Sequence, residues 1–209
     1  CYEPKSGSAP DSLVIMLHGL GSSGDDLIQL ASFWGESLPN TIFYSPNAPQ
    51  PFDQAPFGFQ WFSRRDEETR KNGVKEVITI INGYIDELLE EHRVKPSRCI
   101  QVGFSQGSIV SLHTVHRREN PLGGLVAFSG LMPTGDSLKD EIANKTPTLF
   151  VHGEQDPVLP SSHSIYAGKV LTELGVPNEV NILPNLGHSI DSRGIELSTR
   201  FMERIFSVY

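Results

Sequence analysis

The chain has little sulfur: two cysteines and three methionines in 209 residues. Two thiols cannot build a disulfide framework, so stability must come from a packed core. No apolar run approaches the roughly 18–20 residues that cross a bilayer, and no charged-then-apolar leader opens the sequence. Stable membrane insertion is therefore not expected, and a cytoplasmic setting is. Positive charge is also in the minority. There are 17 Lys and Arg against 25 Asp and Glu, a net charge of −8, and the basic residues form no long cluster. That argues against nucleic acid or an anionic membrane as the main partner. Repeats, low-complexity tracts and linker-like stretches are missing too.

What is present suits one domain over residues 1–209, with 38% hydrophobic and 20% charged residues and enough length for a full-sized core. Cys99 sits in a run that reads as a core strand and is expected to be an inert buried thiol. Cys1 stands where an initiator Met would; a lipid-modified cysteine of an exported protein is one reading, a trimmed end the plainer one.

Strand-like and helix-like segments alternate, the pattern of a parallel sheet covered by helices on both faces. Strands are expected over residues 12–18 (SLVIMLH), 41–45, 98–104, 124–129, 148–152 and 180–183. Helices are expected over 25–37, 70–92, 106–118, 137–144, 161–174 and 190–208; the second carries Val77, Ile81, Ile85 and Leu88 at helical spacing. Residues 46–65 form a long irregular segment rich in Pro, Phe and Gly, of a length that tends to serve function. Only eleven residues, 1–11, precede the first clear strand, so an extra edge strand must be very short or absent.

Gly103-Phe104-Ser105-Gln106-Gly107 lies where the strand over 98–104 meets the helix over 106–118. A serine between two glycines at such a turn is a nucleophile elbow, because side chains at the glycine positions would strike the neighbouring strand and helix. A serine hydroxyl needs a base, and the base needs an orienting acid; on this architecture they follow in the order Ser, acid, His. His18 and His92 precede Ser105. His113 and His116 lie on the helix leaving the elbow and have no third ligand for a metal, so they read as a solvated helix face. His152 and His163 come too early. His188, in a loop straight after the last expected strand, is where the base belongs. For the acid, Glu154 and Asp156 compete after the preceding strand, and spacing favours Asp156 only modestly; Asp136, Asp140 and Glu141 belong to an earlier connection, and Asp191 caps or opens the last helix. An oxyanion needs two backbone N–H donors. Gln106 offers one, and Leu20, between the glycines of His18-Gly19-Leu20-Gly21, the other.

These residues, with Phe59-Gln60-Trp61-Phe62, Ser129-Gly130, His152-Gly153-Glu154-Gln155-Asp156 and Gly187-His188, occur in the order and spacing of the phospholipase/carboxylesterase family, which the chain resembles from about residue 12 to 206. The resemblance implies an α/β-hydrolase fold, a Ser105–Asp156–His188 triad and Leu20 and Gln106 as oxyanion donors, and it decides for Asp156 over Glu154. It further implies that Trp61, Phe62, Leu131 and Met132 border the acyl pocket, although loop aromatics also serve simply to pack a loop onto its domain. The stretch Ala55-Pro56-Phe57-Gly58 is more similar to bacterial esterases than to eukaryotic thioesterases.

The expected activity is cofactor-free and metal-free cleavage of carboxylic esters of short to medium acyl chains through an acyl-enzyme, on a small-molecule ester or thioester. Acyl-protein thioesterase or lysophospholipase action on long chains is the alternative. Peptide hydrolysis and a non-catalytic binding protein on the same fold rank lower. The aromatics of residues 46–62 could cover the cleft or a partner surface, which leaves a homodimer possible.

Overall fold

In the computed structural model, which describes residues 1–132 and 138–208 apart from the Lys71 side chain, the apolar runs become strands of a single sheet. β1 (Ser12–Leu17) is followed by the short helices α1 (Gly24–Leu27) and α2 (Ala31–Ser37), then β2 (Thr41–Tyr44). A small antiparallel hairpin, β3 (Gln50–Pro51) on β4 (Phe59–Gln60), leads into the long helix α3 (Glu67–His92). Strand and helix then alternate: β5 (Cys99–Phe104), α4 (Gln106–Val115), β6 (Gly124–Phe128), α5 (Leu138–Glu141), β7 (Thr148–Gly153), α6 (Ser162–Glu173), β8 (Asn178–Leu183) and α7 (Ser192–Val208). The six long strands run β2-β1-β5-β6-β7-β8, and every neighbouring pair is parallel.

A parallel sheet with helices on both faces buries both sides of each strand, which is why these strands read as continuous apolar runs. Leu13, Ile15 and Leu17 of β1 face one core with Val77, Ile81 and Ile85 of α3, Val110 of α4 and Leu171 of α6. Val14 and Met16 face the other with Trp34 of α2 and Phe201 and Met202 of α7. Trp34 is fully buried, and its indole N–H donates to Ser198 Oγ at 3.0 Å, tying α2 to α7.

Several boundaries differ from the sequence pattern. The helix expected over 25–37 is α1 and α2 joined by a tighter turn at Ile28–Leu30, with right-handed backbone at both joints. α3 starts at Glu67 because Asp66 caps it, its carboxylate accepting the Thr69 N–H at 2.8 Å. α4 is shorter than expected. β8 begins two residues early, at Asn178. The hairpin lies inside the segment expected to be irregular. Near the first residues, Tyr2 makes a single antiparallel bridge to Phe43, a very short edge contribution. Ser137, the expected start of α5, and Asp136 lie outside the described residues.

Candidate active site

The loops after β1, β5, β6, β7 and β8 meet at the carboxyl edge of the sheet. The turn after β5 is the tightest. Ser105 has φ 53 and ψ −115, a backbone state that costs an L-residue roughly 1–3 kcal/mol and persists only where its surroundings enforce it. They do so here. A Cβ on Gly103 would lie 2.6 Å from Ser108 Cα, and one on Gly107 would lie 2.0 Å from the Leu17 carbonyl oxygen. Strand and helix can approach this closely only because both positions are glycine. The Ser105 N–H donates to the Phe128 carbonyl at 2.9 Å, which anchors the turn to β6.

His188 Nε2 lies 3.0 Å from Ser105 Oγ, and His188 Nδ1 lies 2.6 Å from Asp156 Oδ2. Asp156 is ionised, so Nδ1 must carry the proton and donate it, leaving the Nε2 lone pair for the serine O–H. Burial works to raise the pKa of Asp156, but the N–H groups of Leu159 and Val158 and the His188 ring outweigh it, and the carboxyl is held below its ordinary range. Those two backbone N–H groups donate to Oδ1 at 2.9 and 2.8 Å. Glu154, the competing carboxylate, is exposed. The loops bearing Asp156 and His188 are stitched together, with the Gln155 N–H on the Leu186 carbonyl at 2.9 Å. The His188 ring also packs on Phe104, centroids 5.0 Å apart.

Leu20 lies in the loop after β1. A Cβ on Gly19 would come 3.4 Å from Ser105 Cβ, so this loop runs beside the elbow. Its shape is set from below. Gly21, at φ 77, donates its N–H to the Phe59 carbonyl at 2.8 Å, and a Cβ on Gly58 would strike the Gly21 carbonyl. The Leu20 N–H has no acceptor among the described residues. The Gln106 N–H opens α4, where the first N–H groups have no acceptor within the helix. The Gln106 side chain, which sequence reasoning ignored, clamps the long loop to the elbow: Oε1 accepts the Trp61 N–H at 2.9 Å and Nε2 donates to the Phe62 carbonyl at 2.8 Å.

The expected pocket residues divide. Trp61 and Phe62 are 1% and 3% exposed and belong to the core, the Trp61 indole donating to the His18 carbonyl at 2.8 Å, so their packing role is the visible one. Met132 is buried too, whereas Leu131 is only half-buried. Among the loop aromatics, Phe57 is the one that projects, 74% exposed.

Two histidines set aside by position prove to be buried polar groups. His116 does not lie on a solvated face: it is fully buried, 3.2 Å from Thr148 Oγ1, because α4 turns that side onto the sheet. Burial, helped by the Arg117 charge, pushes it down to about 4. His152 lies beside Asp156, its Nε2 3.1 Å from Oδ2. The signal for it was the His-Gly at the very end of a core strand, four residues before the acid. Asp191 behaves as expected, its Oδ1 accepting the Gly194 N–H at 3.0 Å at the start of α7. Burial drives the Cys99 thiol up to about 12, the state of an inert sulfhydryl. Among the described residues, no three His, Cys, Asp or Glu side chains gather as a metal ion would require.

A parallel sheet with Ser, Asp and His on the loops after β5, β7 and β8 at its carboxyl edge, Ser at a strained strand-to-helix turn, has the architecture of an α/β-hydrolase. The phospholipase/carboxylesterase family model matches residues 4–205, and the chain belongs to that family. It is 36% identical to esterase PE8, known from a crystal structure, with a TM-score of 0.91 over 98% of this chain and 96% of the other. It is 31% identical to acyl-protein thioesterase 1 homolog 1 of Dictyostelium discoideum, covering 97% of this chain and 94% of that protein. A rice protein named a probable inactive carboxylesterase is 28% identical, covering 97% of this chain and 89% of the relative. No helix among the described residues is long and apolar enough to cross a membrane.

Proposed function

We propose that this protein is a serine hydrolase that cleaves carboxylic esters of short to medium acyl chains through an acyl-enzyme on Ser105. The observation that carries the reading is the hydrogen-bonded line Ser105–His188–Asp156, in which the only tautomer compatible with the carboxylate leaves His188 Nε2 free to accept the serine proton. As Oγ attacks the ester carbonyl, His188 takes the proton and Asp156 stabilises the imidazolium. The N–H groups of Leu20 and Gln106 hold the developing oxyanion, each such donor being worth about 3–4 kcal/mol of barrier. The imidazolium then protonates the leaving alcohol or thiol. Water repeats the sequence on the acyl-enzyme, releasing the acid and restoring Ser105. Leu131, the half-buried member of the expected pocket set, is the residue with surface to offer an acyl chain, while Met132, Trp61 and Phe62 are buried in the core cluster. A cytoplasmic setting goes with this reading, since both cysteines are free thiols.

Acyl-protein thioesterase or lysophospholipase action on long chains is the second reading, and the name of the Dictyostelium relative favours its thioesterase half. For a non-catalytic protein on the same fold, the third reading, the rice relative's name gives a precedent of inactivity only, and here all three polar residues are present and connected. Initial rates on p-nitrophenyl esters from acetate to palmitate, wild type beside Ser105→Ala, test the choice. Serine-dependent activity peaking at short chains is expected. Rates that climb toward palmitate would move the function to long acyl groups, and silence across the series would remove the hydrolase reading.

A further inference from the structure

Asp156 Oδ2 receives two imidazoles. One belongs to His188; the other is His152, at the end of β7, whose side chain is fully buried. The tautomer of His152 follows from its surroundings. Nε2 faces two groups that only accept, Asp156 Oδ2 at 3.1 Å and the Leu159 carbonyl at 2.8 Å, so Nε2 must bear the proton. Nδ1 then accepts from Ser164 Oγ of α6 at 2.8 Å, a distance that outcompetes the Gly130 carbonyl at 3.5 Å for the same hydroxyl proton.

The other donors to Asp156 cannot locate it. Val158 and Leu159 belong to its own loop, and His188 is the group it has to orient. Among the described residues, His152 alone ties the carboxylate to the sheet. We infer that His152 is a positioning residue: its Nε2–H, shared between the Leu159 carbonyl and Oδ2 beside the Nδ1–H of His188, ties the carboxylate and its loop to β7, fixes the plane of the carboxylate and keeps a proton from settling on that oxygen. A proton on Oδ2 would have to face two N–H groups at once. The imidazolium formed during catalysis therefore keeps its Nδ1 proton. This inference rests on the reading of Ser105, His188 and Asp156 as catalytic.

The titratable groups facing Asp156 are His188, from the loop before α7, and His152 of β7; among the described residues no Lys or Arg pairs with it. Removing the His152 donor leaves Oδ2 to His188 alone and also makes the carboxylate easier to protonate. Both effects let inactive protonated forms persist to higher pH.

The test compares wild type, His152→Leu, His152→Gln and Ser164→Ala, with melting temperatures measured alongside. Ser105→Ala serves as the control for the underlying reading. For His152→Leu, kcat should fall about tenfold, the scale of one charge-assisted hydrogen bond, with KM little changed. The acidic limb of the kcat/KM profile should move up by roughly half a pH unit. Gln can place an N–H near the Nε2 position and should restore most of kcat, and Ser164→Ala should show a smaller loss in the same direction. If His152→Leu does not fold, the Ser164→Ala profile decides. Wild-type kcat and pH profile in folded His152→Leu or, failing that, in Ser164→Ala, with only the melting temperature lowered, would overturn the inference. Activity retained by Ser105→Ala would overturn the catalytic reading itself.

Discussion

The serine turn and the histidine loop stand 3.0 Å apart at Ser105 Oγ and His188 Nε2, yet they are built on opposite terms. Around Ser105 every position is dictated: a strained residue, two glycines without room for a methyl group, and a main-chain anchor to β6. Around His188 there is slack on the Gly187 side. A Cβ on Gly187 would meet nothing nearer than Pro157 Cδ at 3.9 Å, and the His188 side chain is 17% exposed. The nucleophile is held by sterics on every side; the base's loop is packed on one side only, where a Cβ on Gly153 would strike the Gly187 and Leu186 carbonyls, and the imidazole itself is held by hydrogen bonds. That division suits the chemistry, since the serine must stay put while the imidazole moves a proton from one partner to another.

Three substitutions break or sharpen this contrast, the largest expected effect first. Gly107→Ala drives a methyl group into the Leu17 carbonyl, a backbone atom that cannot swing aside. It should cost about 3 kcal/mol, the upper end of overpacking penalties, in urea denaturation, and abolish activity. Wild-type stability would show that the turn has freedom the contrast denies it. The second concerns the far end of the helix that leaves the elbow. Folded His116 refuses its proton until about 4, whereas the unfolded chain takes it near 6.5. The unfolded state thus binds more protons below 6.5, and stability drops as pH falls through the window from 6.5 to 4. The drop reaches up to about 3 kcal/mol at the lower end. His116→Gln should flatten that part of the pH–stability curve, and two curves of equal slope would refute the assignment. Gly187→Ala is the smallest. With space for its methyl group and one less flexible residue in the unfolded chain, it should be neutral or stabilising by at most about 1 kcal/mol in the same urea experiment. A loss comparable to that of Gly107→Ala would erase the contrast.

What the sequence disclosed followed the strength of its physical signals. Fully buried strands such as β1 and β7 show as unbroken apolar runs, whereas β8, an edge strand carrying Asn178, Glu179 and Asn181, concealed its first turn of pairing. The elbow was legible because its glycines are a steric demand that the structure bears out atom by atom. The chain order of Ser, acid and His led to His188 but left Glu154 and Asp156 in competition; the family resemblance decided for Asp156, which the structure brings together with His188. That order says what a histidine is not, and it is silent about what else it touches. Hence His152 was dismissed as a base without its contact with Asp156 being seen, and His116 was placed in solvent although α4 buries it. The Gln106 clamp on Trp61 and Phe62 lay equally out of reach, since it joins residues more than forty positions apart through a loop with no periodicity.

The most direct measurement is to trap the enzyme with a fluorophosphonate or a slow ester and locate the adduct by peptide mass mapping. One covalent group on the peptide bearing Ser105, absent from Ser105→Ala and slow to form in His188→Ala, is the predicted result. An unlabelled native protein, or an adduct on any other residue, would contradict the account.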